Sequence, residues 1–140
     1  MEFDAEDRYE RTALLLIAHG SRQHEANLDL HDLVEQLRAR RAYAIVEASF
    51  LELAEPNILE GGKNCVAQGA RSVILLPYFL AAGVHVRRDL TEARRILSEK
   101  FPQVSFALAG PLGPHPLLIE VVLERARKAR LGEQILPVLD

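Results

Sequence analysis

His19 and His85 are the residues of this chain best placed to do chemistry. Each follows a continuous apolar run. Thr12 to Ala18 (TALLLIA) leads directly into His19-Gly20-Ser21-Arg22, and Val73 to Leu76 passes through Pro77 into a loop, 79–86, that holds Gly83 and His85. Glu52 follows a weaker run over 44–50. Imidazoles accept protons near neutral pH, and with a carboxylate they form a borderline ligand set for cobalt, nickel, iron or zinc. Taken singly, a loop histidine reads as a solvated side chain and Glu52 as a surface or helix-start charge. The functional reading comes from their arrival at one place.

That place follows from the elements. Runs with no polar face are the pattern of strands covered on both sides, as in parallel sheets. Leu30, Leu33, Val34 and Leu37 recur at helical spacing between about Glu25 and Arg40. Pro56 suits the first turn of a second helix that carries Ile58, Leu59 and Val66 to a glycine cap at Gly69. Leu90, Ala93 and Ile96 mark a third helix, which ends before Pro102. A fourth strand over 104–109 and a fourth helix over 117–129, with Leu118, Val121 and Val122 on its apolar face, complete the order βαβαβαβα. This order predicts a flavodoxin-like, three-layer α/β half-lobe with a four-stranded parallel sheet and helices on both faces. In such sheets ligands bind beyond the carboxyl ends of the strands. The loops holding His19–Arg22, Glu52, 79–88 and 110–115 all open at that edge.

The remaining candidates read more simply. His24 and His31 fall on or near the first helix and face solvent. His115 stands between Pro114 and Pro116 and shapes a turn, although it shares the edge. Cys65 reads as a small core residue.

Composition bounds the rest. The chain has 140 residues, enough for one domain, with a polar extension over 1–11, a domain over 12–130 and a short apolar tail over 131–140. Its formal net charge of −3, its aromatic content of 6% and its lack of tryptophan argue against a nucleic-acid binder. The late-helix cations, Arg38, Arg40 and Arg41 in one group and Arg125, Arg127, Lys128 and Arg130 in another, complement helix dipoles. No apolar run approaches the ~20 residues a membrane span needs. The acidic N-terminus is unlike a signal peptide, and one cysteine suits a reducing compartment, so the expected location is the cytoplasm. The phosphate-loop, dinucleotide and serine-elbow motifs are all missing. One cysteine cannot build a thiolate zinc site. A histidine phosphatase also carries a histidine after its first strand, but Ala18 stands where its phosphate-clamping arginine would be.

HGSR after the first strand, FLE ahead of P-x-I, and LPYFL-x-x-G-x-H-V-x-x-D ahead of the third helix resemble the small class II chelatases of the sirohydrochlorin cobaltochelatase (CbiX) type. The resemblance runs from about Leu14 to Arg127. It implies a chelatase-like domain that acts as a lyase-type enzyme. Such an enzyme inserts a divalent metal into sirohydrochlorin without ATP or an organic cofactor, and works as a homodimer with the macrocycle in a cleft between subunits. It also implies that His19 and His85 bind the metal and receive the pyrrole protons. Glu52 matches a position that is often acidic in the family, and so is a third candidate ligand. Ser21, Arg22, Gly83 and Val84 would line the macrocycle pocket. Leu80, Ala81, Ala82 and Val84 would pack on the ring face, and Arg22, Arg87 and Arg88 would form a basic rim for its carboxylates. The family's name points to cobalt and cobalamin biosynthesis. Iron for siroheme, and nickel, stay open because two histidines do not choose between these ions. A metal-binding or delivery module on the same scaffold is the reading from another class.

Overall fold

The computed structural model describes residues 11–139; the expectation of a separate polar extension falls almost wholly outside them. The strands are β1 (Thr12–Ala18), β2 (Ile45–Phe50), β3 (Ser72–Pro77) and β4 (Ser105–Leu108). They alternate with α1 (His24–Arg40), α2 (Ile58–Ala67), α3 (Val84–Lys100) and α4 (Pro116–Arg130). All strand pairs are parallel, in the order β2-β1-β3-β4. The apolar runs occupy the two central strands, as burial on both faces requires. The chain leaves β1 toward β2 and leaves β3 in the opposite sense toward β4. The switch point of the sheet therefore lies between the ends of β1 and β3.

One face packs Ala13, Leu15, Ile17, Val73, Leu75 and Phe106 against α2 and α3, through Ile58, Cys65, Leu90, Ala93 and Leu97. In α3 it is Leu97 that is fully buried, while Ile96 is half-buried, because the core-facing direction lies closer to Leu97 than the sequence spacing suggested. Gly61 and Gly62 let α2 approach closely. A Cβ on Gly61 would lie 2.8 Å from a Leu15 methyl, and one on Gly62 would lie 2.7 Å from a Leu97 methyl. The other face packs Leu14, Leu16, Val46, Ala48 and Phe50 against Leu30 and Val34 of α1.

That second face is only half covered. Helix α4 buries none of its residues: Val121 and Val122 are exposed and Leu118 is half-buried. On the strands beneath where it would lie, Ile74 and Leu76 are half-buried and Ala107 is exposed. The preceding segment explains this departure from the expected packing. The Leu112 and Gly113 N–H groups bond to the Phe79 and Leu80 carbonyls at 3.0 and 2.9 Å, holding the chain at the strand-end edge, and α4 departs from there.

Two helix starts also differ from the sequence reading. Helix α2 begins at Ile58, because the Asn57 side chain accepts the Glu60 N–H and caps it; Pro56 lies before the cap. Helix α3 begins at Val84, with Gly83 as its cap. His85 is therefore in the first turn of a helix and not in a loop. Gly69 ends α2 with φ +98°, as expected of a C-terminal glycine. The outer strands are tied by arginines: Arg38 donates to the Val46 carbonyl at 3.0 and 2.6 Å, and Arg94 to the Phe106 carbonyl at 2.8 Å. Arg38 thus serves strand β2 as well as the end of its own helix.

Candidate functional site at the strand switch point

The ends of β1, β2 and β3 are laced together past the strands themselves. Leu51 N–H bonds to the Ala18 carbonyl at 2.9 Å, Glu52 N–H to the His19 carbonyl at 3.1 Å, and Tyr78 N–H to the Ile17 carbonyl at 2.7 Å. His19 is thereby fixed at the exit of a central strand, with its side chain exposed. Gly20 turns the chain with φ +91°, a conformation that glycine adopts without strain.

The His19 ring rests on the ring of Phe79, with centroids 4.4 Å apart and planes 31° apart. Phe79 itself packs against the α2–α3 core, so the contact links an exposed imidazole to a fixed support. The next residues are held by α1. Ser21 N–H donates to Asn27 Oδ1 at 3.0 Å, Asn27 Nδ2 donates back to the Ser21 carbonyl at 2.8 Å, and Gln23 N–H donates to Ser21 Oγ at 3.0 Å. The Ser21 hydroxyl therefore shapes the turn into α1. Sequence reasoning missed both supports. Nothing in the spacing of Asn27 marks it as a partner of Ser21, and the Phe79 contact exists only because β1 and β3 are neighbours.

His85 is exposed in the first turn of α3, beyond the end of β3. Arg87 lines a groove of about 370 Å3 with Pro77, Ala82, Gly110 and Pro111 at the strand-end edge. Arg88 lies in an outer hollow of about 560 Å3 beside Val84, Asp89 and Glu92. Arg22, Arg87 and Arg88 make no ion pair with any described residue, whereas Arg38 and Arg95 pair with neighbouring carboxylates. Three unpaired guanidinium groups near one edge can receive anionic groups from outside. Leu80 and Val84 are also exposed there, at 63% and 61%.

Glu52 is exposed, and its backbone is the part that contacts the His19 turn. Among the described residues, no three histidine, cysteine or acidic side chains gather closely enough to enclose a metal ion. His19, His85 and Glu52 thus share the edge without forming a closed three-ligand site within one chain. His115 caps α4, its Nδ1 accepting the Leu117 N–H at 3.0 Å, so it shapes the turn as its proline neighbours suggested. His31 lies edge-on to Phe50, with centroids 5.7 Å apart, and His24 opens α1. Burial pushes the Cys65 thiol up to about 12, which keeps it protonated and inert.

The CbiX family model matches residues 13–129. A chloroplastic sirohydrochlorin ferrochelatase of Arabidopsis thaliana is 38% identical over 80% of this chain and 50% of its own length. A sirohydrochlorin cobaltochelatase of Priestia megaterium is 37% identical over 95% of this chain and 42% of its own. The chain thus spans about half the length of these curated relatives. Among solved structures, the sirohydrochlorin chelatase SirB of Bacillus subtilis in complex with cobalt superposes with a TM-score of 0.78. It is 29% identical, over 84% of this chain and half of that one. With the family model spanning its whole parallel four-stranded lobe, the chain belongs to the CbiX family.

Proposed function

We propose that this protein inserts a divalent metal ion into sirohydrochlorin, with His19 and His85 holding the incoming ion and accepting the two pyrrole protons. The supporting observation is the pair of exposed imidazoles, His19 at the exit of β1 and His85 in the first turn of the helix that follows β3, with no cluster of three histidine, cysteine or acidic side chains among the described residues to enclose the ion. An ion held by two neutral imidazoles keeps water ligands that the ring nitrogens can replace, and each imidazole can take a proton as the metal enters. A closed site would retain the metal. Glu52 would add charge beside the ion. Ser21, Gly83, Leu80 and Val84 would flank the macrocycle, and Arg22, Arg87 and Arg88 would receive its carboxylates. Cobalt(II), for cobalamin, is the first reading. Iron(II) and nickel(II) are the alternatives, since the relatives' names include both cobalto- and ferrochelatases.

The working unit in this reading is a homodimer. One four-stranded lobe offers too little wall for a large macrocycle, and the match to this chain takes up only 50% and 42% of the two long relatives. The apolar side of α4 and the half-open sheet face over β3 and β4 suit burial against a second copy.

Anaerobic absorbance of sirohydrochlorin with cobalt(II), iron(II) or nickel(II), with and without the protein, tests the proposal. Faster insertion that is lost in both His19→Ala and His85→Ala is the expected result, and the relative rates rank the ions. A folded dimer that accelerates none of them would leave a metal-binding or delivery module as the better account.

A further inference from the structure

Leu53 breaks two local rules at once. Its φ is +64°, in the left-handed region where a side chain crowds the backbone and glycine or asparagine is favoured. Its side chain is also 52% exposed, so packing does not offset that strain. The other described non-glycine residues with positive φ are polar and lie where chains commonly turn: Arg41 ends α1, and Gln134 follows α4. The neighbours of Leu53, Leu51 and Ala54, pack against the two cores. Among the apolar residues of this segment, Leu53 alone is exposed.

Its position gives the exposure a purpose. Glu52 N–H bonds to the His19 carbonyl, so Leu53 is one residue beyond the link that fixes the His19 turn. Strain that persists without local compensation concentrates at ligand-contacting positions. We propose that Leu53 is an apolar contact for a face of the tetrapyrrole ring, presented by its left-handed backbone beside His19; this rests on the metal-insertion reading above. A flat macrocycle has an apolar face and a charged periphery. Aliphatic side chains suit the former, as arginines suit the latter.

The test compares Leu53→Gly, Leu53→Asn and Leu53→Met. Thermal melting would be measured without ligand, affinity for metal-free sirohydrochlorin by absorbance titration, and oligomeric state by sedimentation. Leu53→Gly and Leu53→Asn are expected to melt at or above the wild-type temperature and to bind the tetrapyrrole about tenfold more weakly, the size of one lost aliphatic contact. Leu53→Met, which keeps an apolar side chain, should restore most of the affinity. Wild-type affinity in Leu53→Gly, with metal insertion intact in the wild type, overturns this proposal alone. So does a shift of Leu53→Gly to monomer, which would make Leu53 a subunit contact. A wild-type protein that binds no sirohydrochlorin overturns both this proposal and the reading beneath it.

Discussion

Gly20 lies against the carbonyl of Glu52 so closely that a Cβ at Gly20 would stand 1.8 Å from that oxygen. Two turns that leave different strands are thus fitted to each other through their backbones, and His19 is placed by the fit. Gly20→Ala must move one of the turns, and its φ of +91° adds strain for any side chain. We expect a loss of roughly 2 kcal/mol or more in chemical denaturation. Metal insertion should fall further than the stability loss explains.

Phe79 supports the His19 ring from below. Phe79→Leu keeps an apolar residue for the core but removes the ring contact, which is worth about 0.5–1.5 kcal/mol. The expected result is a wild-type-like fold with an insertion rate lowered by about threefold to tenfold. Phe79→Tyr should keep most of the rate. Equal rates in Phe79→Leu and wild type would show that the ring contact does not position His19.

The buried thiol offers a pH test. Cys65 is raised from its ordinary 9.0 to about 12, first by burial and second by the Glu47 charge. The folded chain therefore keeps this proton where the unfolded chain has lost it, and its contribution to stability is complete below 9.0. As pH rises from 9.0 to about 12 the unfolded state binds fewer protons and stability falls. The slope is at most about 1.4 kcal/mol per pH unit. Denaturation curves of wild type and Cys65→Ala across that range should diverge by this group's share, and a thiol reagent at pH 8 should label Cys65 only after unfolding.

The unburied side of α4 is the best place to test assembly. Val122→Asp on the helix and Leu76→Asp on the half-open sheet should each shift the protein toward monomer in sedimentation at micromolar concentration. Val122 is already exposed at 64%, so its substitution should leave the lobe folded. An unchanged dimer in both variants would place the subunit contact elsewhere.

The sequence carried the architecture because the central strands are apolar on both faces, and only a parallel sheet with helices treats strands that way. It also located His19 at the exit of β1 and His85 beyond β3, though in the first turn of α3 rather than in the loop. Helix boundaries were harder. The start of α3 depends on Gly83, which has no side chain with which to announce a cap, and the start of α2 depends on Asn57 rather than on the more conspicuous Pro56. The exposure of α4 was hidden because its apolar residues look the same whether they meet their own sheet or another surface. Phe79 and Asn27 were missed for a common reason: each acts through a fold-level neighbour that sequence spacing does not encode, and the left-handed backbone of Leu53 is equally invisible there.

The arginine ties on the outer strands limit how copies of this chain can associate. A continuous sheet across two molecules would join β2 to β2 or β4 to β4 through free edge carbonyls, but Arg38 and Arg94 already occupy the Val46 and Phe106 carbonyls at those edges. Lateral strand addition, the usual route to fibrous aggregates, is obstructed on both flanks. Contacts between copies are thereby left to the helices and the strand ends.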